Sequence, residues 1–496
     1  MMVAIEEVIR LVLTCLPTAP FPTTTGGSAH PSPSPSGARE DRISRLPDKL
    51  LCDIVARLPA KDAARTATLS RRWRRVWASA PLVLDDSDLL VLLPGGGDAH
   101  RPARINWMSV TDAVSRVILS HRGPIRFLRL TCCYMELLAR YGSLQHWLCL
   151  LAERGAEDLV LVNRPLPYEL CLPADVLRIA SLRTLYLGFW RFPDTAGLPR
   201  GPAVFPRLRE IGLCSTTVDA GDIDYLLGCS PVLEKLSIIA SLYPAAHFRI
   251  RSRSLQCLVF WHALAIGLDV VVAPRLQRLI LWKGCPGMPD TAAFPTRLRI
   301  GYATQLEVLG YLEPGIHQLM IGGTIIESGT KMIPSNMVPS VKILALKVRF
   351  GNRKEARMLP TFLRCFPNVE TLHVLSCQAD EPTGKLNFKS WQEVGRIDCL
   401  ETHITTVVFD KFRGERCELV FLKFILERVQ SLLKLVVVLA YGHQASVDEM
   451  LTKLKSLTTA KRASEYPTLL AVARDGDSDR CFQRVSDLSV SDPFEW

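Results

Sequence analysis

The chain has 496 residues, of which 48% are apolar and 22% charged, and its formal net charge at pH 7 is +11. A chain of this length exceeds the size at which one hydrophobic core keeps growing, so two or three domains or an extended repeat array are expected. Its fifteen cysteines are an odd number, scattered without any Asn-x-Ser/Thr sequon. This usage indicates reduced thiols in the cytosol or nucleus and argues against a secreted protein.

Residues 1–38 are expected to form a disordered leader. The apolar run Val8–Leu16 has the character of a signal-peptide core, but Glu6 and Glu7 precede it where a signal peptide carries positive charge. We therefore predict a short helix there or no structure. Residues 17–37 are rich in Pro, Ser, Thr and Gly, a composition that cannot build a core. A helix needs about twenty consecutive apolar residues to span a bilayer, and the sequence has no such stretch. No membrane association is therefore expected.

Residues 39–82 carry a compact helical pattern. Pro47 suits a first helical turn, Pro59 ends the helix, and Ser70 is placed to cap a later one. About forty residues are too few to bury this apolar surface alone, so a partner or the next domain of the chain must cover it. The apolar positions at helical spacing are Leu46, Leu50, Leu51, Ile54, Val55 and Leu58, with Trp73, Val76 and Trp77 on the last helix.

From Asp41 to Ala80 these residues resemble the F-box, the module by which receptors attach to a Skp-type adaptor in SCF ubiquitin ligases. The resemblance implies the adaptor and, through it, cullin and RING subunits as partners. One departure is Arg57, where many relatives carry an aromatic or aliphatic residue. The implied adaptor-binding residues are Leu46, Pro47, Leu50, Leu51, Ile54, Leu58, Pro59, Leu69, Ser70, Arg72 and Trp73.

The net positive charge does not by itself indicate a nucleic-acid partner. The dense basic cluster, Arg71, Arg72, Arg74 and Arg75, lies inside this helical module. Elsewhere Lys and Arg are scattered without the interleaved aromatic residues that stack bases. We therefore do not expect nucleic-acid binding as the principal function.

Residues 83–380 repeat a signature of apolar, two variable, apolar, one variable and apolar positions. Several copies are spaced in the low to middle twenties, which is the period of leucine-rich repeats. The copies resemble the degenerate repeats of plant F-box proteins, so an irregular α/β solenoid is expected. The stretch 306–321 is expected to hold two strands of unassigned register. The signature begins at Ile125, Leu182, Leu208, Leu233, Leu255, Leu276, Val341 and Val369.

Alternation along each strand predicts the side chains on the open concave face, because residues between the buried positions point the other way. Large aromatic side chains and Arg on an exposed face are the residue types that anchor interfaces. The target-binding candidates are Tyr186, Trp261, Arg278 and Trp282. An alternative is that the two tryptophans pack beneath a neighbouring loop or an end domain.

Residues 381–457 carry a second resemblance, to the FBD module of plant F-box proteins. The residues that match are Trp391, Cys399-Leu400, 404–409, 412–414, Glu418 and 421–427. The segment is expected to cap the solenoid and shield its last apolar face. The polar tail, residues 458–496, is expected to be only partly ordered.

The sequence carries no motif of an enzyme, and no cofactor is expected. A nucleophile elbow, a phosphate loop and a dinucleotide fingerprint are all absent. The run 475–479 begins like a calcium loop, but Arg480 stands where the loop needs Gly. Cys399 and His403 have metal-like spacing without a second pair at ligand spacing, so no metal site is expected.

The resemblance as a whole implies a non-catalytic receptor of an SCF-type ubiquitin ligase, with the F-box on the adaptor and the solenoid on an unknown target protein. It would act in the cytoplasm, the nucleus or both. Two alternatives stay open. One is an F-box scaffold outside a ligase, and the other is a co-receptor that holds a small molecule or hormone in the solenoid. The latter requires Lys and Arg to converge on the concave surface, where Arg278 and Lys347 are the scattered candidates.

Overall fold

The computed structural model describes residues 2–20, 42–90, 92–93, 104–140, 142–164, 170–241, 247–263, 265–282, 296–378, 391, 393–440, 447–458, 463–464, 468–473 and 481–495. Residues 21–38 of the expected leader and the calcium-like run 475–479 lie outside these residues. The chain divides into two compact units, residues 12–233 and residues 1–11 with 234–496. Each unit is treated by itself below.

The helices begin with the N-terminal apolar run and the compact module. They are α1 (Met2–Cys15), α2 (Asp48–Val55), α3 (Ala60–Thr66), α4 (Arg71–Ser79), α5 (Trp107–Ser120), α6 (Met135–Arg140), α7 (Ser143–Glu153), α8 (Ala220–Cys229), α9 (Arg353–Cys365), α10 (Asp398–Thr402), α11 (Arg416–Arg428), α12 (Val447–Thr458) and α13 (Phe482–Ser486). Within the described ranges, none of these helices combines the length and apolar character needed to cross a membrane.

The unit of residues 12–233 is built on a parallel sheet. Its strands are β1 (Leu82–Asp85), β2 (Leu92–Leu93), β3 (Arg104–Ile105), β4 (Ile125–Leu130), β5 (Asp158–Val162), β6 (Leu170–Cys171), β7 (Thr184–Gly188), β8 (Trp190–Arg191) and β9 (Glu210–Cys214). The sheet order is β1-β4-β5-β7-β9, and all pairs are parallel. Helices form part of the connections between these strands, which is how a parallel sheet is joined.

The unit of residues 234–496 has two sheets. Its strands are β10 (Lys235–Ile239), β11 (His247–Arg251), β12 (Cys257–Trp261), β13 (Gly267–Val272), β14 (Arg278–Trp282), β15 (Thr296–Tyr302), β16 (Val308–Leu312), β17 (His317–Ile321), β18 (Thr324–Ile325), β19 (Ile343–Val348), β20 (Thr371–Ser376), β21 (Thr406–Phe412), β22 (Lys434–Leu439) and β23 (Thr468–Val472). One sheet runs β10-β12-β14-β16-β19-β20-β21-β22-β23, and the other runs β11-β13-β15-β17-β18.

The predicted α/β repeat is confirmed, and each of the eight signatures overlaps one strand of the main sheets. The stretch 306–321 does hold two strands, and the structure supplies their register. Strand β16 pairs with β14 through Val308 and Arg278, whereas β17 joins the second sheet beside β15. The repeat length is irregular, since Cys257 pairs with Arg278 but Val308 pairs with Ile343.

Main-chain hydrogen bonds join the ends of neighbouring strands. Leucine-rich repeats usually carry an asparagine at this position. Four residues with positive φ directly follow a strand, and they are Phe189, Ser215, Ala240 and His262. The first of these donates its N–H to Cys214 O at 2.9 Å, and the third donates to Trp261 O at 2.8 Å. A left-handed residue turns the chain out of the sheet, so its amide reaches the next repeat. At the end of β5, Asn163 is such an asparagine, and its side-chain Nδ2 donates to Phe189 O.

The C-terminal part departs from expectation in two ways. The sheet continues beyond the FBD region, because β23 pairs in parallel with β22, so residues 381–457 are not its last layer. The tail also contains ordered structure: helix α13 forms, and Phe482 and Phe494 are buried. The tail, expected to be only partly ordered, is ordered over residues 481–495, which are called the C-terminal segment below.

Candidate binding surfaces

The F-box-like module has its own small core. Leu51 and Val55 of α2 pack with Ala63 of α3 and with Trp73 and Val76 of α4. Trp73 is 8% exposed and Leu51 is fully buried. Two residues predicted to touch the adaptor therefore face the inside of the module in the free chain.

Arg72 fixes the entry into the first helix of the module. Its guanidinium donates to Leu46 O at 2.5 Å and to Ser44 O, and it forms an ion pair with Asp48 at 2.7 Å. These bonds hold the turn that presents Pro47. Arg72 thus acts on the shape of the module, and a charge-assisted fork of this kind is one that Lys cannot replace.

Ser70 and Trp73 support the same turn from the start of α4. The hydroxyl of Ser70 accepts from Trp73 N at 3.3 Å and so caps the helix. The indole Nε1 of Trp73 donates to Ser44 Oγ at 3.1 Å. The Ser-Arg-Arg-Trp run consequently acts as a brace beneath the Leu-Pro opening.

The apolar residues that remain exposed form the candidate adaptor surface. Leu50 is 48% exposed and Ile54 40%, and one helical turn separates them on α2. Leu69, just before α4, is 67% exposed, and Pro47 is exposed as well. Leu46, Leu58 and Pro59 are partly buried. Exposed large apolar side chains on one helix face indicate an interaction site.

The module is joined firmly to the first repeat. The ring of Trp77 meets His121 edge-on at 4.9 Å, and His121 Nε2 lies 3.0 Å from Ala80 O. Burial lowers the pKa of His121, and the nearby Arg154 lowers it further. The imidazole is therefore neutral at pH 7, and Nε2 donates to the carbonyl. Any protein held by the module would thus keep a defined orientation to this repeat.

Tyr186 is not on an open surface, so its predicted exposure is wrong. It is 2% exposed, and its hydroxyl donates to Glu210 Oε1 at 2.6 Å. The ring lies on Gly212 of β9, where a Cβ would come within 2.2 Å of a ring atom. Burial raises the pKa of Tyr186, and Glu210 and Cys15 raise it further. Residues at the end of α1 therefore lie near this face.

Arg278 is 4% exposed because the C-terminal segment covers it. Its guanidinium donates to Asp487 O at 2.7 Å, to Val485 O and Leu488 O at 3.4 Å, and to Val490 O. These acceptors are backbone carbonyls of one short stretch. Arg278 therefore binds backbone carbonyls of its own chain, and its predicted position on an open face is wrong.

The two tryptophans pack as the alternative hypothesis described. Trp261 and Trp282 stack at 5.6 Å, and Phe482 meets Trp261 edge-on at 5.9 Å. Trp261 is 1% exposed, whereas Trp282 is half-buried and contacts Tyr311 at 5.2 Å. Their predicted exposure is corrected, because a terminal segment fills the space over them.

The far end of the C-terminal segment is held by a buried ion pair and an aromatic contact. Asp492 Oδ2 lies 2.8 Å from His373 Nε2, and the side chain of His373 is 2% exposed. Burial alone would raise the pKa of Asp492, but the hydrogen bond and charge of His373 outweigh it, so this pKa is lowered. Phe494 packs on Tyr311 at 5.1 Å and on His373 at 5.5 Å. The sequence pattern did not assign Tyr311 to this surface.

The thiols and imidazoles of the described part of the chain do not form a metal site. No cluster of three or more His, Cys, Asp or Glu side chains with ligand geometry occurs among the described residues. Burial raises the pKa of Cys399 to about 12, and its thiol donates to Leu363 O. His403 instead lies 2.6 Å from the hydroxyl of Thr402. The two residues therefore serve separate local contacts.

Comparison with known proteins assigns three regions of the chain. The F-box domain matches residues 43–84, the description "FBD-associated F-box protein At5g56370, LRR repeats" matches 144–374, and FBD matches 392–437. FBD-associated F-box protein At3g52670 of Arabidopsis thaliana is 23% identical over 77% of this chain and 84% of its own length. F-box/LRR-repeat protein At3g26922 of the same plant is 28% identical over 46% of this chain and 69% of its length.

Other Arabidopsis thaliana relatives match over a smaller part of their length. F-box/LRR-repeat protein At3g58940 is 27% identical over 40% of this chain and 32% of its own length. F-box/LRR-repeat protein At3g58930 is 27% identical over 47% of this chain and 48% of its length. This chain thus spans about half or less of the length of these two relatives.

Proposed function

Since the chain carries the F-box, leucine-rich repeats and FBD of the plant F-box/leucine-rich-repeat proteins, we propose that it is the substrate-recognition subunit of an SCF-type ubiquitin ligase. The F-box binds a Skp-type adaptor, which connects the chain to cullin and RING subunits. The repeats bind a target protein. The chain supplies no nucleophile of its own, and its contribution is proximity, because a target held near a charged conjugating enzyme meets a high effective concentration of thioester.

The observation that carries the proposal is the exposed apolar face of α2 within an otherwise folded module. Leu50 and Ile54 point to solvent while Leu51 and Val55 fill the core. Covering the exposed pair on association stabilises a complex by removing apolar area from water, about 25 cal/mol per Å² before the cost of association. Leu69 and Pro47 extend the proposed contact. Arg72, Ser70 and Trp73 hold its shape.

The central experiment measures adaptor binding by the full-length chain in a purified system. Leu50→Asp combined with Ile54→Asp places charges on the proposed contact, so affinity for a plant Skp-type adaptor should fall at least about 100-fold. Asp53→Ala, on the same helix and also exposed, is the matched control and should bind like the parent. Thermal unfolding of both variants should match the parent, since neither change touches the core.

Two results would contradict the proposal. One is a parent chain that does not bind the adaptor. The other is a double variant that binds it as tightly as the control. Affinity purification with the proteasome inhibited, comparing the intact chain with one lacking residues 41–80, extends the test to cullin and targets. Adaptor recovered without cullin would favour a scaffold outside a ligase.

The co-receptor alternative has no specific support from the described residues. Arg278 is engaged by backbone carbonyls of the C-terminal segment. Lys347 pairs with Glu313 at 3.3 Å, and both side chains are largely buried. These two cations therefore serve internal contacts.

A further inference from the structure

The C-terminal segment contacts the sheet that begins with β10 in the manner of a bound peptide. Arg278 reads its backbone carbonyls, Trp261 receives Phe482, Tyr311 receives Phe494, and His373 receives the carboxylate of Asp492. We call the surface of Trp261, Arg278, Tyr311 and His373 the tail groove. Each contact joins a strand of the sheet to a residue at least a hundred positions later in the chain.

The tail groove contains residue types that are common on the solvent-exposed surface of proteins. Arg278 and His373 are cationic or cationisable, and neither is a usual component of a permanent core. Lys235 adds positive charge near Asp487, because Lys235 and Arg278 both help to lower the pKa of that carboxyl after its bonds to Ser489. The C-terminal segment supplies the complement, three acids and one arginine. Groove and segment therefore match in charge as well as in shape.

The division of labour among these contacts resembles peptide recognition. Arg278 bonds to main-chain oxygens and so holds any peptide of suitable shape. Selectivity must come from the two aromatic rings and the carboxylate that His373 receives, since these contacts involve side chains. A groove that combines backbone capture with side-chain pockets is a common way to bind an extended segment.

We propose that the tail groove is the target-docking site and that the C-terminal segment is an internal ligand that must leave before a target binds. The partner is a peptide segment of another protein that carries an aromatic residue beside an acid, as Asp492-Pro493-Phe494 does here. Its description as a target rests on the proposed function. The competition between segment and partner does not.

The tether sets the size of the effect. A segment joined to its groove by a short linker has an effective concentration of about 1 mM. A peptide with an intrinsic Kd of about 10 to 100 µM is then weakened about 10- to 100-fold by competition. Loosening the segment therefore raises the affinity for the partner without any change in the groove.

The test uses a labelled synthetic peptide of residues 481–496 added to the full-length chain. The parent should bind it weakly, because its own segment is in place. Phe482→Ala with Phe494→Ala should bind the peptide about 10- to 100-fold more tightly. Ser491→Ala, whose side chain is exposed, is the matched control and should behave like the parent. A second release variant, Asp492→Arg, opposes His373 without removing apolar volume and guards against misfolding of the first.

The peptide's own chemistry provides the second arm. A peptide with Phe494→Ala, or one with Asp492→Asn, should bind the release variants at least about 10-fold more weakly than the parent peptide. Equal binding of the peptide by the parent chain and by both release variants would overturn the proposal, provided that the variants unfold cooperatively. So would equal affinity of the altered peptides.

Adaptor binding, measured on the same variants, separates this proposal from the proposed function. Release of the C-terminal segment leaves the F-box untouched, so adaptor affinity should not change. Peptide competition without adaptor binding would contradict the ligase role alone. Adaptor binding without peptide competition would contradict the tail groove alone.

Discussion

Asp86 shows how much one buried side chain contributes to this fold. It is fully buried, and its carboxylate accepts from the backbone amides of Thr131 at 2.9 Å, Cys132 at 2.6 Å and Cys133 at 3.0 Å. Burial raises its pKa, although the amides lower it in part. The residue sits directly after β1 and ties it to the turn after β4. Nothing in the local sequence marks it, because its partners lie some 45 residues away.

Asp86→Ala should therefore be strongly destabilising. The change leaves three buried amides without an acceptor, which costs about 1–3 kcal/mol for each group that water cannot reach. Urea denaturation should show a loss of about 3 kcal/mol or more. Asp112→Ala on the exposed side of α5 is the control and should stay within about 0.5 kcal/mol. A loss at Asp86 no larger than at Asp112 would contradict the role.

His262 is expected to make stability depend on pH. Burial, together with the charge of Lys347, lowers the pKa of His262 to about 4. The native chain therefore keeps His262 neutral, whereas the unfolded chain protonates it near pH 6.5. Its contribution is present above pH 6.5 and is lost as the pH falls from 6.5 toward 4.

The measurement is the unfolding free energy at pH 7.5 and pH 5. The parent should lose about 2 kcal/mol more than His262→Asn over this interval, since one pKa unit corresponds to 1.36 kcal/mol. Asn tolerates the positive φ of this position. If parent and variant lose the same amount, His262 does not titrate as described.

At the scale of elements, the apolar signature located strands well but not the returns between them. Four returns in residues 247–321 are strands of a second sheet. The burial of β11 alternates strictly, and its sequence, His-Phe-Arg-Ile-Arg, carries this period of two. The alternation in the sequence of β11 therefore predicts a strand.

At a residue with positive φ after a strand, substitution by glycine is expected to increase the free energy of unfolding. Ser215 has φ of 46° directly after β9. Because a non-glycine residue is strained there, Ser215→Gly should stabilise the chain by about 0.5–1 kcal/mol. Ser115→Gly, the same change inside helix α5, should instead destabilise by about 1 kcal/mol. Equal effects at the two positions in thermal unfolding would refute the argument.

At the scale of the whole molecule, the last strand of the sheet is a liability. Strand β23 has no partner strand on its outer side among the described residues, and Leu470 and Val472 are each 42% exposed. An exposed apolar edge strand is a template for pairing with another chain. Leu470→Lys with Val472→Lys should reduce concentration-dependent light scattering on mild heating.

The control for this edge is Thr468→Lys, which lies on the same strand and replaces a polar residue. It should scatter like the parent. Unfolding temperatures should be similar in all three chains, because both apolar residues are substantially exposed. Unchanged scattering of the double variant would show that association starts elsewhere.

The sequence by itself determined the domain types, the strand signature and the alternation of faces. These depend on local periodicity and fixed spacing, which a single chain displays directly. The eleven F-box residues were instead implied by the resemblance to that module. Their division into the exposed Leu50, Ile54 and Leu69 and the internal Leu51 and Trp73 required the packing of three helices.

The tertiary structure alone decided what covers the concave face. Arg278 and the C-terminal segment are about 200 residues apart, and no local pattern records such a contact. By sequence alone, the C-terminal segment has the composition of a polar tail. In the structure its acidic and aromatic side chains contact Trp261, Tyr311 and His373. The local sequence determines which residues are able to bind a peptide. Long-range packing determines whether those residues face solvent or contact another part of the same chain.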